Sequence, residues 1–176
     1  MITWSIDQAH SSIGFKIKHL VVSTVKGNFS TYSAHIAMDG GFETAKINFS
    51  ADASSISTNN TMRDDHLKSA DFFDVASFPL ISFVSKQIIK NSDTEFTVLG
   101  DLTMHGVVQE ISLDTVYNGT VLDMQGAQVM SFDITGSFSR SSFGLTWNAA
   151  LETGGFAVSD IVTLEMIAEF KQEEVV

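Results

Sequence analysis

The chain has 176 residues, of which 44% are hydrophobic and 18% charged, enough apolar side chain for one core in one domain and too much for disorder. Its net charge of −11 argues against nucleic acid, whose phosphate backbone needs clustered Lys and Arg, and against anionic membrane surfaces. No apolar run approaches the roughly 20 residues that cross a bilayer, so no stable membrane insertion is expected. The lack of cysteine excludes disulfides and thiolate metal sites.

The chain starts Met1-Ile2-Thr3-Trp4-Ser5-Ile6-Asp7, without a basic n-region or an apolar h-region. A soluble, cytoplasmic protein is expected if the chain is complete, and a periplasmic one if a signal peptide has been removed. From Gln8 to Met38 there is no Asp or Glu, yet Lys16, Lys18, Lys26 and three of the five histidines fall there. Two readings fit: paired strands that lack carboxylates, or a less negative rim near an anionic head group.

Alternation of period two begins with Ile13, Phe15, Ile17 and His19 against Ser12, Gly14, Lys16 and Lys18, the pattern of a half-buried strand. A strand-like run follows from Val25 to Met38, then a turn at Asp39-Gly40-Gly41, where glycine can take positive φ, then Ala45, Ile47, Phe49 and Ala51 on one face. One short helix is predicted over Met62 to Ala70, with Thr61 and Asp64 as a capping box and Asp64 four residues before Lys68. Pro79 suits the start of a strand over Leu80 to Ser85. Four more alternating rows complete the chain: Phe96 to Met104, Ile111 to Tyr117, Met130 to Phe138 and Val162 to Phe170. Eight strands with hairpin-length connections predict an all-β protein, an eight-stranded antiparallel barrel with one short helix in an insertion. A two-sheet sandwich is the rival.

Candidate chemistry is sparse. None of the five histidines forms the i,i+4 helical pair or i,i+2 strand pair that commonly begins a zinc site, so no metal and no cofactor is expected. There is no Gly-x-Ser-x-Gly elbow, and Asp64-Asp65, Asp71 with Asp74, and Glu173-Glu174 sit where a helix start, a turn and a charged tail would place them. By contrast, 14 phenylalanines supply much bulky apolar surface with no polar handle. Composition alone leaves open whether they fill a core or line a ligand bore.

Five ordered blocks resemble the YceI-like family of lipocalin-like barrels associated with polyisoprenoid binding. They are Trp4-Ser5-Ile6-Asp7 with His10-Ser11 and Ile13-Gly14-Phe15; His19 with Gly27-Asn28-Phe29; Thr58 with Arg63-Asp64-Asp65-His66-Leu67, running into Ser69 to Asp74 and Phe78 to Phe83; Gly100 to Gly106; and Ser139 to Leu145 with Val158-Ser159-Asp160. The resemblance spans nearly the whole chain as a single domain. It implies a barrel whose pore takes an isoprenoid or another long-chain lipid, with the helix beside it, and suggests a homodimer. Many relatives carry an export signal; none is expected in this chain, which puts a periplasmic role in doubt.

Register and residue chemistry place the ligand-binding wall at Phe15, Ile17, Phe49, Phe83, Met104, Phe132, Phe138, Leu164 and Met166, with Lys16, Lys18 and Lys46 facing solvent, and Phe29 and Phe143, from the blocks that carry the resemblance, are expected to join it. His19, His105 and Arg140 are the candidates for polar contacts, to a head group or to the fold, with an Arg140–Asp160 ion pair as one outcome. Asp7 and His10 read as a structural hydrogen-bonded pair. The leading expectation is a non-catalytic lipid carrier or store; the alternatives are an enzyme acting on a lipid-like substrate in the same cavity, and a filled structural core.

Overall fold

A computed structural model describes residues 1–174. Its strand segments are β1 (Ile2–Ile6), β2 (Ser12–His19), β3 (Ser23–Phe29), β4 (Tyr32–Met38), β5 (Lys46–Asp52), β6 (Ile56–Ser57), β7 (Leu80–Lys90), β8 (Glu95–Met104), β9 (Val107–Leu122), β10 (Gln128–Ser139) and β11 (Val158–Gln172). One helix, α1 (Thr61–Lys68), lies between β6 and β7. No helix among the described residues is long and apolar enough to cross a membrane.

The segments join into eight strands, because three of the strands are bent rather than ended. β1 and β2 are one strand broken by a short turn, where the Asp7 carboxylate accepts the Ala9 N–H at 3.0 Å, and both halves pair with β11. β3 and β4 bend at Ser30-Thr31 and pair with β2 and β1 respectively; β5 and β6 bend at residues 53–55 and pair with β4 and β3. Every pairing is antiparallel, and Trp4 opposite Gln172 and Ile6 opposite Phe170 close the sheet on itself. Closure removes most of the exposed edge that an open sheet would have to protect, leaving β3 unpaired on its outer side from Ser23 to Gly27.

Alternation sets which side chains enter the barrel. Along β8, Phe96, Val98, Gly100, Leu102 and Met104 are buried while Thr97, Leu99, Asp101 and Thr103 are not. A Cβ on Gly100 would stand 2.3 Å from Phe83 Cζ, and one on Gly27 would stand 2.4 Å from Phe15 Cζ, so these glycines give two phenyl rings room to lie across the neighbouring strand.

Three local expectations need correction. The helix runs Thr61–Lys68 rather than Met62 to Ala70, because Asn60 is its cap, accepting the Arg63 N–H at 3.0 Å. Asp64 makes no capping box with Thr61; it accepts the Thr58 N–H and hydroxyl at 2.9 and 2.6 Å, tying α1 to the end of β6. The β4–β5 connection is longer than a Gly-Gly hairpin: Gly41 has φ −67°, and a 3-10 turn over Phe42–Thr44 follows. That turn drops Phe42 onto the end of the barrel.

Candidate functional site

The barrel encloses a cavity of about 400 Å³ that runs from the Phe42 turn to α1. At the Phe42 end the bore is stoppered by aromatic rings. Phe42 meets Phe96 edge-on at 5.1 Å and Phe132 at 4.6 Å, and Phe132 contacts Tyr117 at 5.6 Å and Phe170 at 6.1 Å. Such pairs add about 0.5–1.5 kcal/mol each beyond their buried area. Trp4 is buried in the same core.

The middle of the bore is aliphatic and aromatic. Phe15 and Phe29 lie 5.8 Å apart, Phe29 meets Phe73 edge-on at 6.2 Å, and Phe49, Phe83, Phe138, Leu164 and Met166 continue the wall. Of the residues expected to form the wall or its polar contacts, Phe15, Ile17, His19, Phe29, Phe49, Phe83, Met104, Phe132, Phe138, Arg140, Leu164 and Met166 all face the cavity. Lys18 and Lys46 are exposed, and Lys16 pairs with Glu165.

Two expected residues stand elsewhere. Phe143 is fully buried behind the wall, edge-on to Phe138 at 5.4 Å, because the 3-10 turn Arg140–Phe143 has left the strand's alternation. His105 sits at the β8–β9 turn with φ 54°, its Nδ1 3.0 Å from the Phe143 carbonyl and its ring against Phe78. It braces the turn and does not reach the bore.

At the α1 end, Arg140, Arg63 and His66 are occupied, while the His19 side chain has no hydrogen-bond or ion-pair partner among the described residues. Arg140, 6% exposed, donates to four carbonyls: Leu145 at 2.7 Å, Ser159 at 2.8 Å, Trp147 at 2.9 Å and Val158 at 3.3 Å. The anticipated ion pair with Asp160 is replaced by this carbonyl cluster; Asp160 instead accepts from the Ser139 hydroxyl and, at 3.1 Å, the Ser141 N–H. These bonds hold Asp160 below the usual carboxylate range, while burial pushes the Arg140 guanidinium down against a smaller opposing pull from Asp160. A guanidinium stays charged regardless. Arg63 is similarly engaged, with Nε on the Thr58 hydroxyl at 2.7 Å and Nη2 on the Thr58 carbonyl at 2.9 Å.

Trp147 was not anticipated, since residues 144–157 carry no periodicity. It lines the cavity, edge-on to the His66 ring at 4.6 Å and 5.3 Å from Phe72, and the Arg140 clamp on its carbonyl holds it there. His66 is fixed in turn by Asp71 at 2.8 Å.

Outside the bore, Asp7, His10 and Glu169 bring three potential ligand atoms within 4.8 Å of one another. Sequence spacing missed this group because Glu169 arrives through the β1–β11 closure. Lys171 Nζ lies 3.5 Å from Asp7 Oδ2 and already supplies positive charge there. The His10 hydrogen bond lowers the Asp7 pKa and raises that of His10, as in a structural pair.

The fold and sequence have clear relatives. Residues 4–170 match the YceI-like domain. A UPF0312 protein of Staphylococcus aureus (strain USA300) is 41% identical over 176 residues, 99% of this chain and 100% of the relative. Among solved structures, a Campylobacter jejuni YceI protein is 33% identical with a TM-score of 0.75, covering 96% of each chain. BcnA of Burkholderia cenocepacia shares the fold at 21% identity with a TM-score of 0.81, covering 93% of this chain and 98% of its own. A barrel closed through β1 and β11, an α1 insertion at one end and relatives matched from end to end agree: the chain belongs to the YceI-like family.

Proposed function

We propose that the barrel holds a long, uncharged apolar molecule, an isoprenoid chain or a similar lipid, and acts as its carrier or store, alone or as a homodimer, without catalysing a reaction on it. The observation that carries this reading is the bore itself: about 400 Å³ walled by hydrocarbon, with the guanidinium groups of Arg63 and Arg140 directed at protein oxygens. An anionic head group would find no uncommitted arginine or lysine in the wall among the described residues. A polyisoprenoid binding domain from Saccharophagus degradans has the same fold, at 13% identity and a TM-score of 0.66 over 98% of this chain and 100% of its own. An enzyme would require converging nucleophile, base and oxyanion donors. Among the described residues the bore wall contributes instead two committed arginines, His66 held by Asp71, His19, and the hydroxyls of Thr58 and Thr115.

Thr115 offers a separate check on the bore wall. Its buried Oγ1 has no hydrogen-bond partner among the described residues. Thr115→Val keeps the shape and removes an orphaned hydroxyl, so it should stabilise the protein by about 1 kcal/mol, raising Tm by about 2–4 °C. A lower Tm in calorimetry would show that the hydroxyl has a structural partner.

The reading is tested by titrating the delipidated protein with geranylgeraniol while following tryptophan emission, since Trp147 lines the bore and Trp4 lies in the core beyond it. A saturable change that disappears in Trp147→Phe is expected. A linear response, or one unchanged in that variant, would place binding outside the bore.

A further inference from the structure

The β2–β3 hairpin presents an apolar tip to solvent at the end of the barrel opposite the Phe42 stopper. Leu20, Val21 and Val22 are 43%, 77% and 85% exposed, and Phe156 of the adjoining loop is 63% exposed. The two loops are joined by the Leu20 N–H on the Ala157 carbonyl at 2.8 Å. Leu20 and Val21 have φ of 53° and 66°, a left-handed conformation that is costly for a branched side chain. Neither burial nor backbone ease accounts for apolar residues here; Asn or Gly would suit the turn better.

Two lysines stand near the tip, with Lys26 opposite the Lys16 of the Lys16–Glu165 ion pair, and the Phe156 loop also carries Glu152. Lys18 and Lys26 rise on the two strands just below the tip, and among the described residues neither has a carboxylate within 4.0 Å; Lys18 Nζ rests on the Thr24 hydroxyl at 2.8 Å. No acidic residue occurs from Gln8 to Met38, in a chain whose net charge is −11. An apolar tip flanked by lysines fits the headgroup region of an anionic bilayer, where apolar contact and attraction to lipid phosphate add.

The tip also adjoins the bore. His19, Val25 and Val158, beside or below it, line the cavity. β3 has a strand partner on its outer side only at Asn28 and Phe29, so from Ser23 to Gly27 the wall has no outer ladder to break. We infer that the β2–β3 tip, with Phe156, docks this end of the barrel onto an anionic lipid surface and brings the bore against the bilayer. The overall negative charge keeps the contact confined to the tip, and the attraction weakens as salt screens it.

The test is flotation with vesicles of phosphatidylcholine containing phosphatidylglycerol, against phosphatidylcholine alone, neither containing isoprenoid, so that the result does not depend on what the bore holds. The wild-type chain should float with the anionic vesicles, weakly with the neutral ones, and less as ionic strength rises. Leu20→Asn, Val21→Gly and Val22→Ser combined should reduce partitioning by about tenfold or more while raising Tm, since the first two residues suit positive φ. Lys18→Glu with Lys26→Glu should reduce it similarly, whereas Lys46→Glu at the opposite end should leave it unchanged. No flotation of the wild type, equal flotation with both vesicles, undiminished flotation of the tip variants, or an equal loss with Lys46→Glu would overturn the inference.

Discussion

Arg140→Leu should be among the most damaging single substitutions in the barrel, lowering stability by about 3 kcal/mol or more and Tm by about 6–12 °C. The side chain is 6% exposed and is shared among the carbonyls of Leu145, Trp147, Val158 and Ser159. Two belong to the loop after the 3-10 turn and two to the start of β11, so one guanidinium ties an aperiodic segment to a strand. Leucine can fill much of the space and can donate to none of the four oxygens. Trp147 should lose its place at the cavity wall in the same variant, shifting tryptophan emission to the red. Arg140→Lys, a compact cation without the planar fork, should fall between the two. A melting curve within a degree or two of wild type would mean that the carbonyls are satisfied without the arginine.

Leu164→Trp should empty the bore while leaving the barrel standing. Leu164 lines the cavity midway along β11, opposite Phe15 on β2 and Gly136 on β10, and is only half-buried because part of it faces the void. An indole there occupies ligand space rather than displacing packed atoms, so the usual cost of overpacking, about 1–3 kcal/mol, is an upper bound. Retained lipid should fall by about tenfold or more, with little change in circular dichroism. Introducing charge separates wall from stopper: Phe49→Asp places a carboxylate at a half-buried bore position and should abolish lipid retention, whereas Phe132→Asp, at 1% exposure inside the aromatic stopper, should unfold the chain. Folded Leu164→Trp or Phe49→Asp protein that keeps its lipid would place the ligand elsewhere.

Much of this was legible from alternation. Once Phe96, Val98, Leu102 and Met104 share a face, strand geometry turns them inward together, and the same holds for Phe132, Ile134 and Phe138. The register fails where the backbone leaves the strand. Phe143 lies in a 3-10 turn and so falls behind the wall, and His105 lies in a tight turn. Phe42 and Trp147 were missed for the complementary reason: they come from connecting segments, whose side-chain direction is set by tertiary contacts such as the Arg140 clamp. The carbonyl partners of Arg140 were invisible because every residue contributes a carbonyl, while residue type could suggest only a carboxylate, Asp160 or another.

The central claim, a neutral apolar occupant in the bore, is tested most directly by mass spectrometry of the organic extract of gently purified protein, quantified against protein. An uncharged long-chain isoprenoid or similar lipid near one per barrel, lost in folded Leu164→Trp, is the predicted result. Protein that yields no stoichiometric lipid, or yields an anionic phospholipid equally abundant in the variant, would contradict it.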